Sequence, residues 1–155
     1  MARRLIGIDI DARHLRAVIL GEERGKLTLE RVATRPRSED GELSAALQEL
    51  IGEHRFGDRL AAALPAGEGF VRQLRFPFSE PRQLAAALDF ELAAELPLPI
   101  EECLTDYRQP LPEESGCSVT AAAVRSSAVA AFLAPFDGAE LPLQTLELAP
   151  HAYLG

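Results

Sequence analysis

Two carboxylates lie at the end of the most apolar stretch near the start of the chain. Asp9 and Asp11 end the run from Leu5 to Asp11, whose near-continuous apolar character predicts a buried strand. Carboxylates at a strand end can hold a hydrated metal ion, and a turn that presents free backbone N–H groups can bind phosphate. The alternative is a solvated strand end with a turn cap, which we favour because no glycine or hydroxyl follows to complete a phosphate-binding turn.

Composition and charge narrow the classes of function. The chain has 155 residues, of which 47% are hydrophobic and 26% charged, and this fits one globular domain or two small lobes. Its formal net charge of -8 argues against nucleic acid as a partner, because such binding relies on basic side chains that neutralise phosphates. No apolar run is long enough for a membrane span or signal peptide, so we expect a cytoplasmic protein.

Cysteine and histidine form no recognisable metal or redox motif. Cys103 and Cys117 flank a predicted hairpin but make no CxxC pair, so free thiols are expected rather than a disulfide. His14, His54 and His151 lie far apart in the sequence, without the spacing of metal ligands. We therefore predict no metal site, and a metal held by Asp9 and Asp11 alone is the weaker alternative.

The first half of the chain predicts a β-meander, a helix and a returning strand. The predicted strands are 4–10, 15–20, 26–33 and 59–64. The first is almost continuously apolar, so we expect it to be central and covered on both faces, whereas alternation in the third indicates an edge strand. A helix over 41–54, capped by Ser38 or Asp40, should connect the meander to a fourth strand that lies parallel to the first.

The second half predicts a smaller α+β unit. Its predicted strands are 70–76, 102–109, 117–124 and 143–148, and its helices are 80–96 and 128–136. The apolar stripe of the first of these helices is Leu84, Leu88 and Leu92, with Ala85 and Phe90 beside it. Ser79 is the expected N-cap of that helix, and Ser126 or Ser127 that of the next. The break at 65–69 is the expected boundary between lobes.

Two separated stretches together resemble one protein family. Residues 5–20 resemble the opening hairpin of the actin, hexokinase and Hsp70 superfamily. The second stretch is a strand from Leu74 to Pro77, an Ala- and Glu-rich helix that ends before Pro97, and a downstream Asp106-Tyr107. This order resembles pilus-assembly protein M and the cytoplasmic domain of general secretion pathway protein L, and the resemblance covers nearly the whole chain.

The resemblance implies an α/β fold made of α+β lobes, the actin-like ATPase (ribonuclease H-like) domain I. Residues 1–66 would form the core lobe and 67–138 an inserted lobe. Residues 139–155 would return a strand to the core and start a truncated second domain, because 143–154 resembles this family's passage into its second large domain. We therefore expect the natural chain to continue into that domain and a membrane span.

The resemblance also implies partners. Such proteins assemble at the cytoplasmic face of the inner membrane with bitopic membrane proteins and a motor ATPase, and in protein M a partner's short N-terminal tail docks between the lobes. The candidate partner-binding residues carried over to this chain are Arg72, Arg75, Phe76, Glu91 and Glu95. Their ordinary alternative is a strand and a solvated helix face. A homodimer is a further expectation.

The phosphate turn of this family is altered here. The family pattern is Gly-Ile-Asp-[Ile/Leu]-Gly-[Ser/Thr]; this chain retains Asp9 but has Asp11 in place of the glycine and Ala12 in place of the hydroxyl. A carboxylate beside a triphosphate repels it. Asp9 and Asp11 are thus a degenerate cofactor site, and although ATP and magnesium bind to relatives, we expect no cofactor here.

The resulting prediction is a non-catalytic scaffold of a type II secretion inner-membrane platform, linking the motor ATPase to bitopic partners. One alternative is a type IV pilus scaffold like protein M that binds ATP. Two enzymes are also considered. One is half of an ATP-dependent sugar-kinase-like phosphotransferase, which needs an intact turn, and the other is a ribonuclease H-like nuclease, which needs further carboxylates at the fourth strand and a later helix, whereas the fourth strand has only Asp58 before it. The altered turn favours the secretion protein over the pilus protein.

Overall fold

The computed structural model describes residues 3–37 and 42–149. The predicted caps Ser38 and Asp40, and the predicted start of a second domain after residue 149, lie outside the described residues. The chain divides into two compact units, one of the described residues up to 66 with 130–149, the other of Gly67–Val129. None of the helices in the described part of the chain is long and apolar enough to cross a membrane.

The strands are β1 (Arg3–Ile10), β2 (His14–Glu23), β3 (Lys26–Pro36), β4 (Arg59–Leu64), β5 (Gly69–Phe76), β6 (Cys103–Tyr107), β7 (Leu111–Glu113), β8 (Gly116–Arg125) and β9 (Leu143–Leu148). The helices are α1 (Leu43–Ile51), α2 (Pro81–Glu95) and α3 (Ser126–Gly138). Every predicted strand and helix is present in the structure, with ends that differ by a few residues, and the short strand β7 was not predicted.

The first unit holds a five-stranded sheet with the order β3-β2-β1-β4-β9. Strands β1, β2 and β3 form an antiparallel meander, β4 is parallel to β1, and β9 is parallel to β4. The predicted meander, the central position of the first strand, the edge position of the third and the parallel return of the fourth are confirmed. This topology places Asp9 near the C-terminal end of β1, opposite Arg16 of β2.

The described residues cover only one face of this sheet. Alternate side chains of β1 from Arg4 to Ile10 are buried, whereas Gly7 on the other face is exposed. Leu47 of α1 and Phe136 of α3 belong to the same core as the buried side chains of β1. The expectation that the first strand is covered on both faces is therefore wrong, because both helices contribute to the core on the same face of the sheet.

The second unit is a four-stranded sheet backed by α2. Strand β8 pairs antiparallel with β5, β6 and β7. The predicted stripe of Leu84, Leu88 and Leu92 is buried in the core of this unit. Phe90 is 80% exposed, because a residue two positions from Leu88 points to nearly the opposite side of a helix.

Two predicted helix caps are wrong. Helix α2 has Glu80 at its N-cap with no capping side-chain bond, and Pro81 opens its first turn, so Ser79 lies one residue too early to cap it. Proline fits the first position because the N–H that it lacks would have no partner within the helix. Helix α3 begins at Ser126, so Ser126 and Ser127 lie inside the helix rather than ahead of it.

Candidate functional site

The turn between β1 and β2 is organised around the carboxylate of Asp11. Its Oδ1 accepts hydrogen bonds from the backbone N–H groups of Arg13 (2.6 Å) and His14 (2.7 Å). The N–H of Asp11 donates to the carbonyl oxygen of His14 at 3.0 Å. A short polar side chain that accepts from N–H groups just ahead of it in this way stabilises a tight turn. The interpretation of Asp11 as a turn cap is confirmed.

Arg16 joins the two carboxylates at the end of β1. Its Nη1 lies 2.7 Å from Oδ2 of Asp9 and 2.7 Å from Oδ2 of Asp11. The hairpin register sets this contact, because it places Arg16 directly opposite Asp9 on the neighbouring strand. All three side chains are half exposed, so water reaches the cluster. Sequence reasoning missed Arg16, although the length of the turn was a signal for its position.

These bonds also determine the charge state of the turn. The N–H of Arg13, the guanidinium of Arg16 and the N–H of His14 hold the pKa of Asp11 well below its ordinary range. The hydrogen bonds to Asp11 and Asp9 in turn raise the pKa of Arg16. Asp11 is therefore ionised and Arg16 protonated at any physiological pH.

The occupied turn does not fit a nucleotide triphosphate. A backbone turn binds phosphate through N–H groups that point at the ligand. Here the N–H groups of Arg13 and His14 already donate to Asp11, which acts as an anion supplied by the chain itself. A triphosphate would have to displace this carboxylate, would meet its negative charge, and would compete for Arg16, which is bonded to both acids.

A divalent metal ion fits no better at this turn. The oxygens of Asp9 and Asp11 that could converge on a cation are already converged on Arg16, whose positive charge takes the place of the ion. Among the residues that the structure describes, no group of three or more His, Cys, Asp and Glu side chains is arranged to hold a metal.

Asp11→Asn tests the charge of the cap through its pH dependence. The variant retains an oxygen that can accept both N–H bonds but loses the charge. Because the pKa of Asp11 is lowered in the folded state, its charge stabilises the fold above the ordinary value of 3.8, and this contribution is lost as the pH falls below 3.8. We expect the variant to unfold at a lower temperature than the native chain at neutral pH, with a difference that shrinks below 3.8.

Thermal unfolding of both chains, followed by circular dichroism from neutral pH into acid, measures this difference. A difference that stays constant through the acid range would show that the altered hydrogen-bonding geometry, and not the charge, causes the loss of stability.

A buried ion pair lies at the other end of the same sheet. Nε of Arg4 donates to Oδ1 of Asp58 (3.0 Å), and its Nη2 donates to Oδ2 of Asp58 and to the carbonyl oxygen of Glu53 (2.6 Å). Oδ2 of Asp58 also accepts the N–H of Arg55 at 2.8 Å. Burial disfavours the ionised carboxylate, but the bonds from Arg4 and Arg55 outweigh it and lower the pKa of Asp58.

The position of Asp58 does not supply the second carboxylate that the nuclease alternative requires. That chemistry needs a second carboxylate beside Asp9, so that both could hold a metal ion, and Asp58 is the acid next to the fourth strand. The parallel register instead pairs Asp9 with Ala63, near the end of β4, whereas Asp58 lies just before the start of β4. The two carboxylates are therefore at opposite ends of neighbouring strands, and Asp58 is bonded to Arg4.

Most of the charged candidates for partner binding are already paired within the second unit. Nε of Arg72 lies 3.2 Å from Oε2 of Glu95, which joins β5 to α2. Nε of Arg75 lies 3.4 Å from Oε1 of Glu113 in β7. Arg72 and Arg75 are three residues apart on one strand, so their side chains project from opposite faces of the sheet.

Phe76 and Glu91 lie in contrasting surroundings. Phe76 is 4% exposed in the core of the second unit, with its ring centroid 5.5 Å from that of Phe78. Glu91 is exposed on α2, one turn ahead of Glu95. The geometry therefore brings Arg72 together with Glu95, keeps Arg75 on the other face and places Phe76 inside the unit.

Both cysteines are free thiols. Cys103 lies opposite Arg125 at one end of β8, whereas Cys117 lies near the other end, opposite Phe76. Burial raises the pKa of the Cys103 thiol, which makes it less reactive. Cys117 is buried in the core of the second unit.

Comparison with known proteins identifies similar solved structures. No protein-family model matches the chain, and no curated protein matches it. The structure of the PilM-PilN type IV pilus biogenesis complex matches with a TM-score of 0.82 and 27% identity, over 97% of this chain and 48% of the other. The cytoplasmic domain of EpsL, an inner membrane component of the type II secretion system of Vibrio cholerae, matches with a TM-score of 0.65 and 12% identity, over 94% of this chain and 57% of the other.

These matches confirm the predicted resemblance and fold class. The chain has the actin-like ATPase fold, with a mixed sheet in its first unit and a second, smaller sheet, and it is similar to PilM and to the cytoplasmic domain of EpsL. It spans about half the length of these solved chains. The low identity to EpsL shows a shared fold alone.

Proposed function

We propose that this chain is part of a non-catalytic scaffold of an inner-membrane assembly platform, at the cytoplasmic face of the membrane. The observation that carries the proposal is the occupied turn, in which the carboxylate of Asp11 accepts the N–H groups of Arg13 and His14. An actin-like fold whose phosphate turn is filled by its own side chain retains its shape without a place for the nucleotide. Binding between proteins is the activity that such a fold can still perform.

The type IV pilus is the machine that the similarity supports. The altered turn by itself favours the secretion protein, but the identity of 27% and TM-score of 0.82 to PilM exceed the 12% and 0.65 to EpsL. PilM is solved in complex with PilN. By analogy, the partner of this chain is the cytoplasmic tail of a bitopic membrane protein of the PilN type, and a motor ATPase is a second partner.

Binding of the cognate PilN-type tail tests this proposal. A fluorescently labelled peptide of that tail should bind the full chain saturably, with a dissociation constant in the micromolar range typical of transient complexes. A scrambled peptide of the same composition is the control for charge alone. Tail anisotropy that does not change up to about 1 mM chain would contradict the proposal.

Variants of the exposed arginines locate the contact. Arg75→Ala should weaken tail binding several-fold, because the Arg75 side chain is 78% exposed and can contact a partner. Arg82→Ala on α2 is a matched loss of one exposed positive charge that should leave binding unchanged. Equal effects of the two variants would show that Arg75 supplies general charge and no specific contact.

A further inference from the structure

The edge strand β3 presents an apolar surface with no partner among the described residues. It pairs with β2 on one side only, and it is eleven residues long. Leu27, Leu29 and Val32 are 53%, 60% and 63% exposed. Leu29 and Val32 lie opposite Leu20 and Val18 of β2 and so share the uncovered face of the sheet. A long edge strand of this kind is a template for pairing with another chain.

The first part of this strand is complementary to itself. Residues 26–30 read Lys-Leu-Thr-Leu-Glu, so polar and apolar side chains alternate about Thr28. When two copies run antiparallel with Thr28 opposite Thr28, each Lys26 faces a Glu30 and each Leu27 faces a Leu29. All of the cross-strand pairs away from the centre then join opposite charges or two leucines, the pairs that stabilise antiparallel sheets.

Local backbone features delimit the same five residues. The turn before Lys26 has positive φ at Arg24 (52°) and Gly25 (76°), which is the geometry of a tight two-residue hairpin. After Leu29 the register with β2 shifts, because Leu20 lies opposite Leu29 whereas Ile19 lies opposite Arg31. This bulge at Glu30 ends the regular edge and limits the length over which a second strand can pair.

Neither charge of this segment, Lys26 or Glu30, is held in an ion pair within the described residues. The Glu30 side chain, however, lies over Gly21 of β2 and must turn toward the free edge to meet a second copy. Charged side chains on an edge strand usually prevent pairing, but here an antiparallel copy would meet opposite charge at both positions. A parallel copy would place like charges together, so the pattern selects one orientation.

We propose that two copies of this chain associate through residues 26–30 of β3, antiparallel and about a two-fold axis at Thr28. The partner is therefore a second copy of the same chain. The contact joins the two sheets edge to edge and places Leu27 of each copy against Leu29 of the other. Because the pairing is short, the dimer is weak and reversible, with a dissociation constant of about 10 to 100 μM.

Charge exchange across the axis tests the proposal. Lys26→Glu places two carboxylates opposite each other in the dimer, and Glu30→Lys places two ammonium groups opposite each other, so each variant alone should raise the dissociation constant about tenfold. In an equimolar mixture, each heterodimer holds one native pair, in which Glu30 of the first variant faces Lys26 of the second, and one pair in which the introduced carboxylate faces the introduced ammonium group.

The expected affinity of each dimer follows from the charges of its two pairs. In a Lys26→Glu homodimer both pairs are carboxylate against carboxylate, and in a Glu30→Lys homodimer both are ammonium against ammonium. In the heterodimer, position 26 of the first variant (a carboxylate) faces position 30 of the second (an ammonium), and position 30 of the first (a carboxylate) faces position 26 of the second (an ammonium). Both pairs are again of opposite charge, so the mixture should form a heterodimer with the affinity of the native homodimer.

Sedimentation equilibrium of the full chain at physiological salt measures these affinities. Arg82→Glu and Glu114→Lys carry the same charge changes outside β3 and should associate as the native chain does. Circular dichroism establishes that each variant is folded, and the double variant Lys26→Glu/Glu30→Lys should then form homodimers again. Should Glu30→Lys be unfolded, the comparison of Lys26→Glu with Arg82→Glu still tests the pairing. A native chain that stays monomeric to about 1 mM, a dimer unaffected by Lys26→Glu, or a mixture that does not associate would overturn the proposal.

Discussion

Replacing Asp58 with alanine should lower the free energy of unfolding by about 3 to 5 kcal/mol. The side chains of Arg4 and Asp58 are only 9% and 3% exposed, so their ion pair is largely shielded from solvent. Loss of the carboxylate leaves the guanidinium buried without its counter-charge. It also removes the acceptor of the N–H of Arg55, which holds the turn ahead of β4.

Chemical denaturation of the native and variant chains, followed by circular dichroism, measures this loss. Arg4→Met should be similarly destabilising, because it leaves Asp58 buried without its cation. Asp137→Ala, at an exposed position of α3, is the matched control and should change stability by less than about 0.5 kcal/mol. A loss below about 1 kcal/mol for Asp58→Ala would show that water reaches the pair and compensates for the missing partner.

The pattern of apolar residues was sufficient to predict most of the first unit. Alternation and short turns predict the meander, and a helix between two apolar strands predicts the parallel return of β4. The same pattern could not show how many faces of β1 are covered. Burial of a strand depends on helices placed elsewhere in the chain, and here α1 and α3 contribute to one core.

The candidate site was predictable only in its local part. Asp11 as a turn cap follows from residue type and position, because its bonds reach just two and three residues ahead. The contact of Arg16 requires the hairpin register. The pair of Arg4 and Asp58 spans 54 residues and could not be predicted from local sequence, since it depends on how β1 and β4 align.

Opening the turn should give it an affinity for phosphate that the native chain lacks. In D11G/A12S the N–H groups of Arg13 and His14 lose their internal acceptor, Arg16 loses one of its two carboxylates, and a hydroxyl is added. Free N–H groups and a cation form charge-assisted bonds with phosphate oxygens. We expect the variant to bind tripolyphosphate at least about ten times more tightly than the native chain does.

The single variant Ala12→Ser is the matched control, because it adds the hydroxyl while Asp11 still fills the turn. It should bind tripolyphosphate as weakly as the native chain. Should D11G/A12S gain no affinity although it remains folded, the carboxylate of Asp11 would not be what keeps phosphate out.

The central claim is that the turn of the native chain is closed to nucleotide by its own carboxylate. The most direct test is a titration of the native chain with ATP and magnesium, followed by the amide NMR signals of Arg13 and His14. Because both amides donate to Asp11, we predict that neither signal shifts saturably up to about 1 mM nucleotide. Saturable shifts of both amides with a micromolar dissociation constant would contradict the account.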